Sequence, residues 1–535
     1  MKIGLAQINS TVGDITGNCS KIVEYINKYS SQCDIMVFPE LALIGYPPQD
    51  LLLESKFIEL ANNELMTISE KVIDCIVLIG SIRKIDNNLY NTVAILSPKN
   101  TIEYRDKTLL PTYDVFEEDR YFTSSNNIQP IEISVNGELI KLGIHICEDL
   151  WNKENDIDVV KELADKNSDI FINLSASPFC VNRYNERIQM AKLKVEQYKK
   201  PYVYCNLIGG QDEIVYDGGS FCLDSKANIV QQSVSFLESF EVVDFDKLIK
   251  KQSINEPEEK QLFEALKLGV KDYFQKTGHE KAVIGLSGGI DSALTCAIAS
   301  YALGNENIYG YALPSKFSSD HSIEDAKILA DNLGIHFSII PIKEIHNQFL
   351  DTLSRDIDVK LPSLALENLQ ARIRGNILMA LSNSFNALLL NTSNKTETAL
   401  GYSTLYGDMC GALGVISDLN KHQVYSLSKW INKYFGECII PENSINKEPS
   451  AELRDNQVDP FDYNEISPMV EKIISENKHL HQLTRQGYDR GDVQDILRKI
   501  RFSEFKRRQA SPGIRVSKKA FGMGRKYPIV NQFKG

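Results

Sequence analysis

Residues 282–303 read AVIGLSGGIDSALTCAIASYAL: an apolar run, a turn of small residues and an apolar helix follow one another without a spacer. A strand that passes through Gly288-Gly289 straight into a helix is the corner of a parallel βαβ unit, which makes the second half of the chain a doubly wound α/β fold. The flanks continue the alternation. Leu262, Leu266 and Val270 recur every fourth residue ahead of it, and IYGYAL, SIEDAKILADNLG and NALLLNTS follow as strand, helix and strand. In the first half, KIGLAQI, DIMVFPE, CIVLIGSI, TVAILS, KLGIHICED, DIFINLSAS and YVYCNLIG read as strands and NERIQMAKLKVEQYKK as a helix, an α/β or layered α+β pattern. The polar stretch KQSINEPEEK separates the halves, so we expect domains at 1–250 and 261–535 joined by a linker at 251–260.

Charge narrows the partners. Lys+Arg 59 against Asp+Glu 71 gives −12, and an acidic chain lacks the basic footprint that nucleic acid demands. Ten cysteines with no CxxC pair form neither a disulfide framework nor a zinc ribbon. No apolar run approaches the ~18 residues of a membrane span, and Gln7 and Asn9 interrupt the N-terminus, so a cytoplasmic protein with no membrane partner is expected.

The turn Ser287-Gly288-Gly289-Ile290-Asp291-Ser292 has the properties of an anion cradle: small residues allow close backbone approach, and the helix start supplies free N–H groups and a positive dipole end. The spacing is neither the Walker loop nor Gly-x-Gly-x2-Gly, so phosphate is held without a loop lysine. SGGIDS in this position resembles the pyrophosphate loop of the N-type ATP pyrophosphatases, which adenylate a carboxylate or carbonyl. That resemblance implies ATP as substrate, Asp291 as a ligand of Mg²⁺, and phosphate contacts from Ser287 and Ser292.

Beyond the strand NALLLNTS lie Asn394-Lys395-Thr396-Glu397. A Glu and a Lys past a strand end are ordinarily a solvated pair, yet Thr392 and Glu397 stand at a strand's carboxyl end, where open α/β sheets bind ligands. With ENLQARIRG (367–375), YGDMCGALGVISDLNK (406–421) and FKRRQASPG (505–513), these motifs resemble NAD synthetase over most of 260–535. The resemblance implies ATP contact by Thr392, a magnesium or deamido-NAD role for Glu397, and deamido-NAD contacts from Asn368, Arg372, Lys421 and Lys506. Arg372 and Arg374 stand roughly 200° apart on a helix, so at most one faces a ligand. Ser393 replaces a glycine usual in the family, which leaves the local backbone path open. Lys506-Arg507-Arg508 also reads as a solvated surface run.

In the first half, Glu40 ends DIMVFPE, Lys107 follows Tyr104-Arg105-Asp106, and Cys147 follows KLGIHI. Each alone has an ordinary reading, as surface carboxylate, solvated lysine or small buried hydrophobe. VFPE, YRDKTLLP and GIHICEDLW in this order resemble the nitrilase superfamily, whose αββα sandwich carries a Glu-Lys-Cys triad. The resemblance implies glutamine contacts from Tyr113, Ser177 and Arg183, and an auxiliary or surface role for Glu118.

Together the two resemblances imply amidation of deamido-NAD by ammonia drawn from glutamine, in a homo-oligomer. Another ATP-pyrophosphatase amidotransferase with a different acceptor, an RNA-modifying enzyme using the same loop, and a scaffold with a vestigial amidase half are the competing readings.

Overall fold

Short apolar runs, buried on both faces at the sheet centres, build three large sheets beside a two-stranded ribbon of Ile208–Gln211 and Ile214–Asp217. The computed structural model describes residues 1–98, 101–151, 156–252, 255–356, 361–454 and 457–533, in two compact units, Met1–Glu256 and Pro257–Gly535.

In the first unit one six-stranded sheet runs Ser239–Asp244, Lys2–Gln7, Ile35–Val37, Ile76–Ile85, Asn88–Ser97, Thr101–Asp106. A second runs Ile229–Gln232, Phe221–Leu223, Tyr202–Asn206, Ile170–Ser175, Glu138–Ile146, Ile131–Val135. Each is parallel at its centre and antiparallel at its edges. Ile3, Leu5, Val37 and Leu78 of the first interleave with Ile144, Ile172, Leu174 and Val203 of the second, all fully buried. Helices cover the outsides. Phe171, Tyr202 and Phe221 pack against Val160 and Leu163 of helix Val159–Asp165 and Ile188, Ala191 and Val195 of helix Arg183–Tyr198, while Tyr29 of helix Ile15–Tyr29 stacks on Phe240 of the other sheet. The unit is the expected αββα sandwich.

The second unit holds a five-stranded parallel sheet in the order His336–Ile339, Ile308–Ala312, Ala282–Gly285, Leu388–Asn391, Leu413–Gly414. From Ala282–Gly285 the chain first adds two strands on one side, then returns to add two on the other, so the order reverses there. That reversal opens a crevice beyond the strand's carboxyl end. Helix Ser363–Phe385 buries Ile373 against Val283 and Leu389 on one face. Helices Glu258–Thr277, Ile290–Leu303 and Lys421–Phe435 pack together. The first of these carries the predicted stripe, with Leu262, Leu266 and Val270 fully buried. Helices Tyr463–Ser475 and Arg490–Phe502 form a smaller core with Ala399 and Leu400. Among the described residues no helix is long and apolar enough to cross a membrane.

Candidate active sites

Strand Ile35–Val37 stops at Pro39, and the chain turns so that Glu40 enters the interior. Gly80 makes this possible: a Cβ there would lie 2.2 Å from the Leu41 nitrogen and 2.3 Å from the Pro39 oxygen. Glu40 is 1% exposed. Its Oε1 accepts from Lys107 Nζ at 2.7 Å and Asn91 Nδ2 at 2.8 Å, and its Oε2 accepts from the Ala176 N–H at 2.8 Å. Lys107, just past strand Thr101–Asp106, is also 1% exposed and reaches Glu118 Oε1 at 2.8 Å. Tyr46 donates to that same oxygen at 2.7 Å. Burial opposes the ammonium, but Glu118 and Glu40 together outweigh it and hold Lys107 well above its usual range; burial also raises the Glu118 carboxyl. The surface readings of Glu40, Lys107 and Glu118 do not hold.

Cys147 leaves strand Glu138–Ile146 into a short turn with φ +41, a conformation rare for a residue with a Cβ. Asp149 pins that turn, accepting from the N–H groups of Leu109 at 2.8 Å and Ile146 at 3.0 Å. Burial, and after it the Glu40 charge, push the buried thiol well above its ordinary range, with Lys107 pulling the other way. Cys147 thus shares the electrostatic neighbourhood of Glu40, Lys107, Glu148 and Glu118. Cys180 is buried as well.

Tyr113 is 54% exposed and donates to Glu148 Oε2 at 2.8 Å. Burial pushes the Glu148 carboxyl up to about 7. Arg183 opens helix Arg183–Tyr198, pairs with Glu186 at 3.0 Å and lies over the Trp151 ring; its charge also reaches Tyr113. Ser177 is buried, with its N–H on Asn206 Oδ1 at 2.9 Å. Asn91, Tyr46, Glu148 and Arg187 were not singled out from the sequence. Only Glu148 carries a local signal, since it follows Cys147 directly.

In the second unit, Gly288 has φ +77 and a Cβ there would sit 2.2 Å from the Ser322 carbonyl oxygen, so only glycine fits. Ser287 and Ser292 bridge their hydroxyls at 3.1 Å, and Ser287 Oγ accepts the Gly289 N–H at 3.2 Å. The loop borders a cavity of about 330 Å³ whose lining includes Ser287, Gly289, Ile290, Asp291, Ser292, Thr392, Glu397 and Lys421. Lys421 Nζ meets Asp291 Oδ2 at 2.5 Å and Glu397 Oε1 at 3.6 Å. Asn394, fully buried, donates to Asp291 Oδ1 at 3.0 Å and caps the helix that carries Glu397. Burial, then the charge of Asp291, push Glu397 up to about 8 against the pull of Lys421.

The remaining candidates stand apart. Arg374, donating to the Leu313 carbonyl at 2.9 Å, lines the cavity, whereas Arg372 donates to the Leu405 carbonyl at 3.2 Å and does not line it. Asn368 accepts from Thr404 Oγ1 at 2.8 Å. Lys506 Nζ donates to the carbonyls of Gly401 and Ser403 at 2.7 and 2.6 Å, and Arg507 donates to those of Thr398 and Ala399. Lys506 and Arg507 therefore fold inward and support the Glu397 helix while Arg508 stays exposed, with neither Asn368 nor Lys506 in the cavity wall. Ser393 lies outside the left-handed region, so its backbone does not require the glycine it replaces. Lys395 is no solvated partner of Glu397 either: it is fully buried against Asp418 at 3.1 Å and Glu471 at 3.0 Å.

Residues 2–248 match the carbon-nitrogen hydrolase family and residues 262–510 the NAD synthase family. The chain is 40% identical to a glutamine-dependent NAD(+) synthetase of Synechocystis sp., covering 99% of each, and 38% identical to one of Thermotoga maritima, covering 100% of this chain and 99% of the relative. A solved glutamine-dependent NAD+ synthetase from Acinetobacter baumannii, in complex with adenosine diphosphate, superposes with a TM-score of 0.78 at 34% identity over 99% of this chain and 98% of that one.

Proposed function

We propose that this chain, which belongs to the glutamine-dependent NAD(+) synthetase family and is a ligase, converts deamido-NAD, ATP, glutamine and water to NAD, AMP, diphosphate and glutamate. Residues 1–250 hydrolyse glutamine, 251–260 link, and 261–535 activate and amidate. The observation that carries this division is that one chain holds both a buried Glu40–Lys107 pair in the electrostatic neighbourhood of Cys147 and a cavity where Asp291, Glu397 and Lys421 meet the SGGIDS loop.

In the first unit Glu40 takes the Cys147 proton as sulfur attacks the glutamine amide carbon, then returns it to the departing nitrogen, which leaves as ammonia. A thiol held so far above its ordinary range by burial needs such a base within the site. The Lys107 ammonium, fixed by two carboxylates, stabilises the oxyanion of the tetrahedral intermediate. Water then cleaves the thioester to glutamate. Arg183 binds the glutamine α-carboxylate and Glu148 its ammonium, with Tyr113 and Ser177 completing the contacts.

In the second unit Ser287, Ser292 and the N–H groups of 288–290 hold phosphate oxygens, and Thr392 contacts ATP. The nicotinate carboxylate attacks the α-phosphorus, diphosphate leaves, and ammonia displaces AMP from the acyl carbon. Glu397 and Lys421, which line the cavity, are assigned to deamido-NAD, and Asn368, Arg372 and Lys506, which lie outside its wall, to the part of the dinucleotide that reaches beyond it. Among the described residues no group of three or more His, Cys, Asp or Glu side chains could hold a metal. Asp291 and Glu397 nonetheless fit Mg²⁺, which takes one or two carboxylates and completes its shell with water and substrate phosphate; burial and then the Asp291 charge raise Glu397, and a divalent cation would relieve the second. When bound, Mg²⁺ neutralises charge on the leaving diphosphate. A cytoplasmic homo-oligomer belongs to the same reading.

The test is purified protein with Mg·ATP and deamido-NAD, given glutamine or ammonium, with NAD, AMP and glutamate followed together. We expect NAD and AMP from both nitrogen sources and glutamate only from the first. Glutamate without NAD would redirect the second unit to another acceptor.

A further inference from the structure

We propose that Arg187, paired with Asp217, is a positioning residue for glutamine hydrolysis: one buried guanidinium fixes the corner after strand Ile170–Ser175 that serves both Glu40 and Ser177. The inference rests on the glutaminase reading above. Arg187 lies in the second turn of helix Arg183–Tyr198 and is fully buried, a costly place for a permanent charge. Its Nη1 meets both carboxylate oxygens of Asp217, at 2.8 and 2.9 Å, so the charge is balanced at once.

Every other bond of the guanidinium goes to one short piece of chain. Nη2 donates to the carbonyls of Ser177 at 2.7 Å and Pro178 at 3.1 Å, and Nε donates to Ser177 Oγ at 3.1 Å. A guanidinium only donates, so the Ser177 hydroxyl accepts from Arg187 and turns its own proton elsewhere. Across the same corner Asn206 Oδ1 takes the Ser177 N–H at 2.9 Å, and Glu40 Oε2 takes the Ala176 N–H at 2.8 Å. Ser177 is thus held at amide, carbonyl and hydroxyl, and the neighbouring amide is fixed on Glu40.

Stability alone does not call for this arrangement, because an apolar group of similar volume fills such a space without the desolvation cost. No apolar group directs a hydroxyl and two carbonyls. Lysine carries the charge but not the planar fork that spans Asp217 and residues 177–178 together.

The test uses the full chain with R187K, R187Q and the paired R187Q/D217N, measuring glutamate release against glutamine concentration. Ammonia-driven NAD formation in the same preparations monitors the second unit. The glutamine KM should rise about tenfold or more in all three, with a fall in kcat, as displaced positioning groups produce. R187K should do no better than R187Q. A merely structural role lowers the active fraction, and so the apparent kcat, at unchanged KM; a wild-type KM in any folded variant overturns the proposal. Should R187Q leave the first unit unfolded around an unpaired Asp217, the paired variant and D217N alone carry the test. D217N keeps a neutral acceptor for Nη1 and should show an intermediate KM, so a wild-type KM there overturns the proposal equally. Wild-type protein that releases no glutamate would instead overturn the glutaminase reading itself.

Discussion

The Cys147 thiol is buried and held well above its ordinary range, burial and the Glu40 carboxylate both opposing the thiolate. Attack on an amide therefore depends on handing the proton to a base as the bond forms. Glu40→Gln removes the base and keeps an oxygen for the Lys107 and Asn91 bonds but sets its NH2 against the Ala176 N–H, so glutamate release should fall by about 10²–10⁴-fold while ammonia-driven NAD formation stays near wild type. Near-normal glutaminase rates would remove Glu40 from that role. Glu148 supplies a pH signature. Burial pushes its carboxyl up to about 7, so the anion that meets the glutamine ammonium forms only as pH rises through that value. The glutamine KM should fall between pH 6 and 8, by about tenfold per pH unit at most on the acid side, and Glu148→Gln should flatten the profile at a high KM. The same shift costs stability. The folded unit binds this proton more tightly than the unfolded chain, so the stability contribution declines as pH rises from the ordinary carboxyl range towards about 7.

At the scale of elements, both sites sit where strands end, and glycines decide which chain segments can approach. Gly288→Ala places a Cβ 2.2 Å from the Ser322 oxygen at φ +77, so the SGGIDS loop or helix Asp320–Leu333 must move. NAD formation should be lost with glutamine and with ammonium alike; an active variant would show the loop tolerating the shift. Lys395 ties helix Lys395–Leu400 to Asp418 and Glu471. Lys395→Met leaves the buried Asp418 without its cation but with three donors from Val516 and Ser517, and should destabilise the second unit by about 1–3 kcal/mol, seen as a lowered midpoint in denaturant with the glutaminase rate retained. Much of this scaffold was legible in the sequence, because parallel strands buried on both faces are continuous apolar runs and the βα corner has its own signature. Helices Tyr463–Ser475 and Arg490–Phe502 were not read. Val470, Ile473 and Ile474 and likewise Val493, Ile496 and Ile500 do keep helical spacing; what that spacing could not show is that the two apolar faces meet each other and Leu400. Glu40, Lys107 and Cys147 were legible because VFPE, YRDKTLLP and GIHICEDLW resemble the nitrilase motifs, whereas Asn91, Tyr46 and Arg187 carry no local signal and meet their partners only after folding. The inward turn of Lys506 and Arg507 was missed for a related reason: a basic run normally seeks water, and here backbone carbonyls of 398–403 take its place.

At the scale of the molecule, two units with separate cores carry half-reactions that ammonia joins, so single substitutions should dissect them. Cys147→Ala should abolish glutamine-driven NAD formation and leave the ammonia-driven route intact, since none of the groups at the SGGIDS cavity belongs to the first unit. Its ammonia-driven rate at fixed total ammonium should climb about tenfold per pH unit while ammonium still predominates, because only the unprotonated form is a nucleophile. Asp291→Ala should stop NAD formation from both sources, because Lys421 and Asn394 lose the carboxylate they both hold. Glutamate release in the Asp291 variant is the discriminating number. Release at the wild-type rate would mean that the first unit works without regard to the second; release that falls with the synthetase would mean that occupancy of the SGGIDS cavity governs the Cys147 site. Equal loss of both nitrogen routes in Cys147→Ala would contradict the division of labour itself.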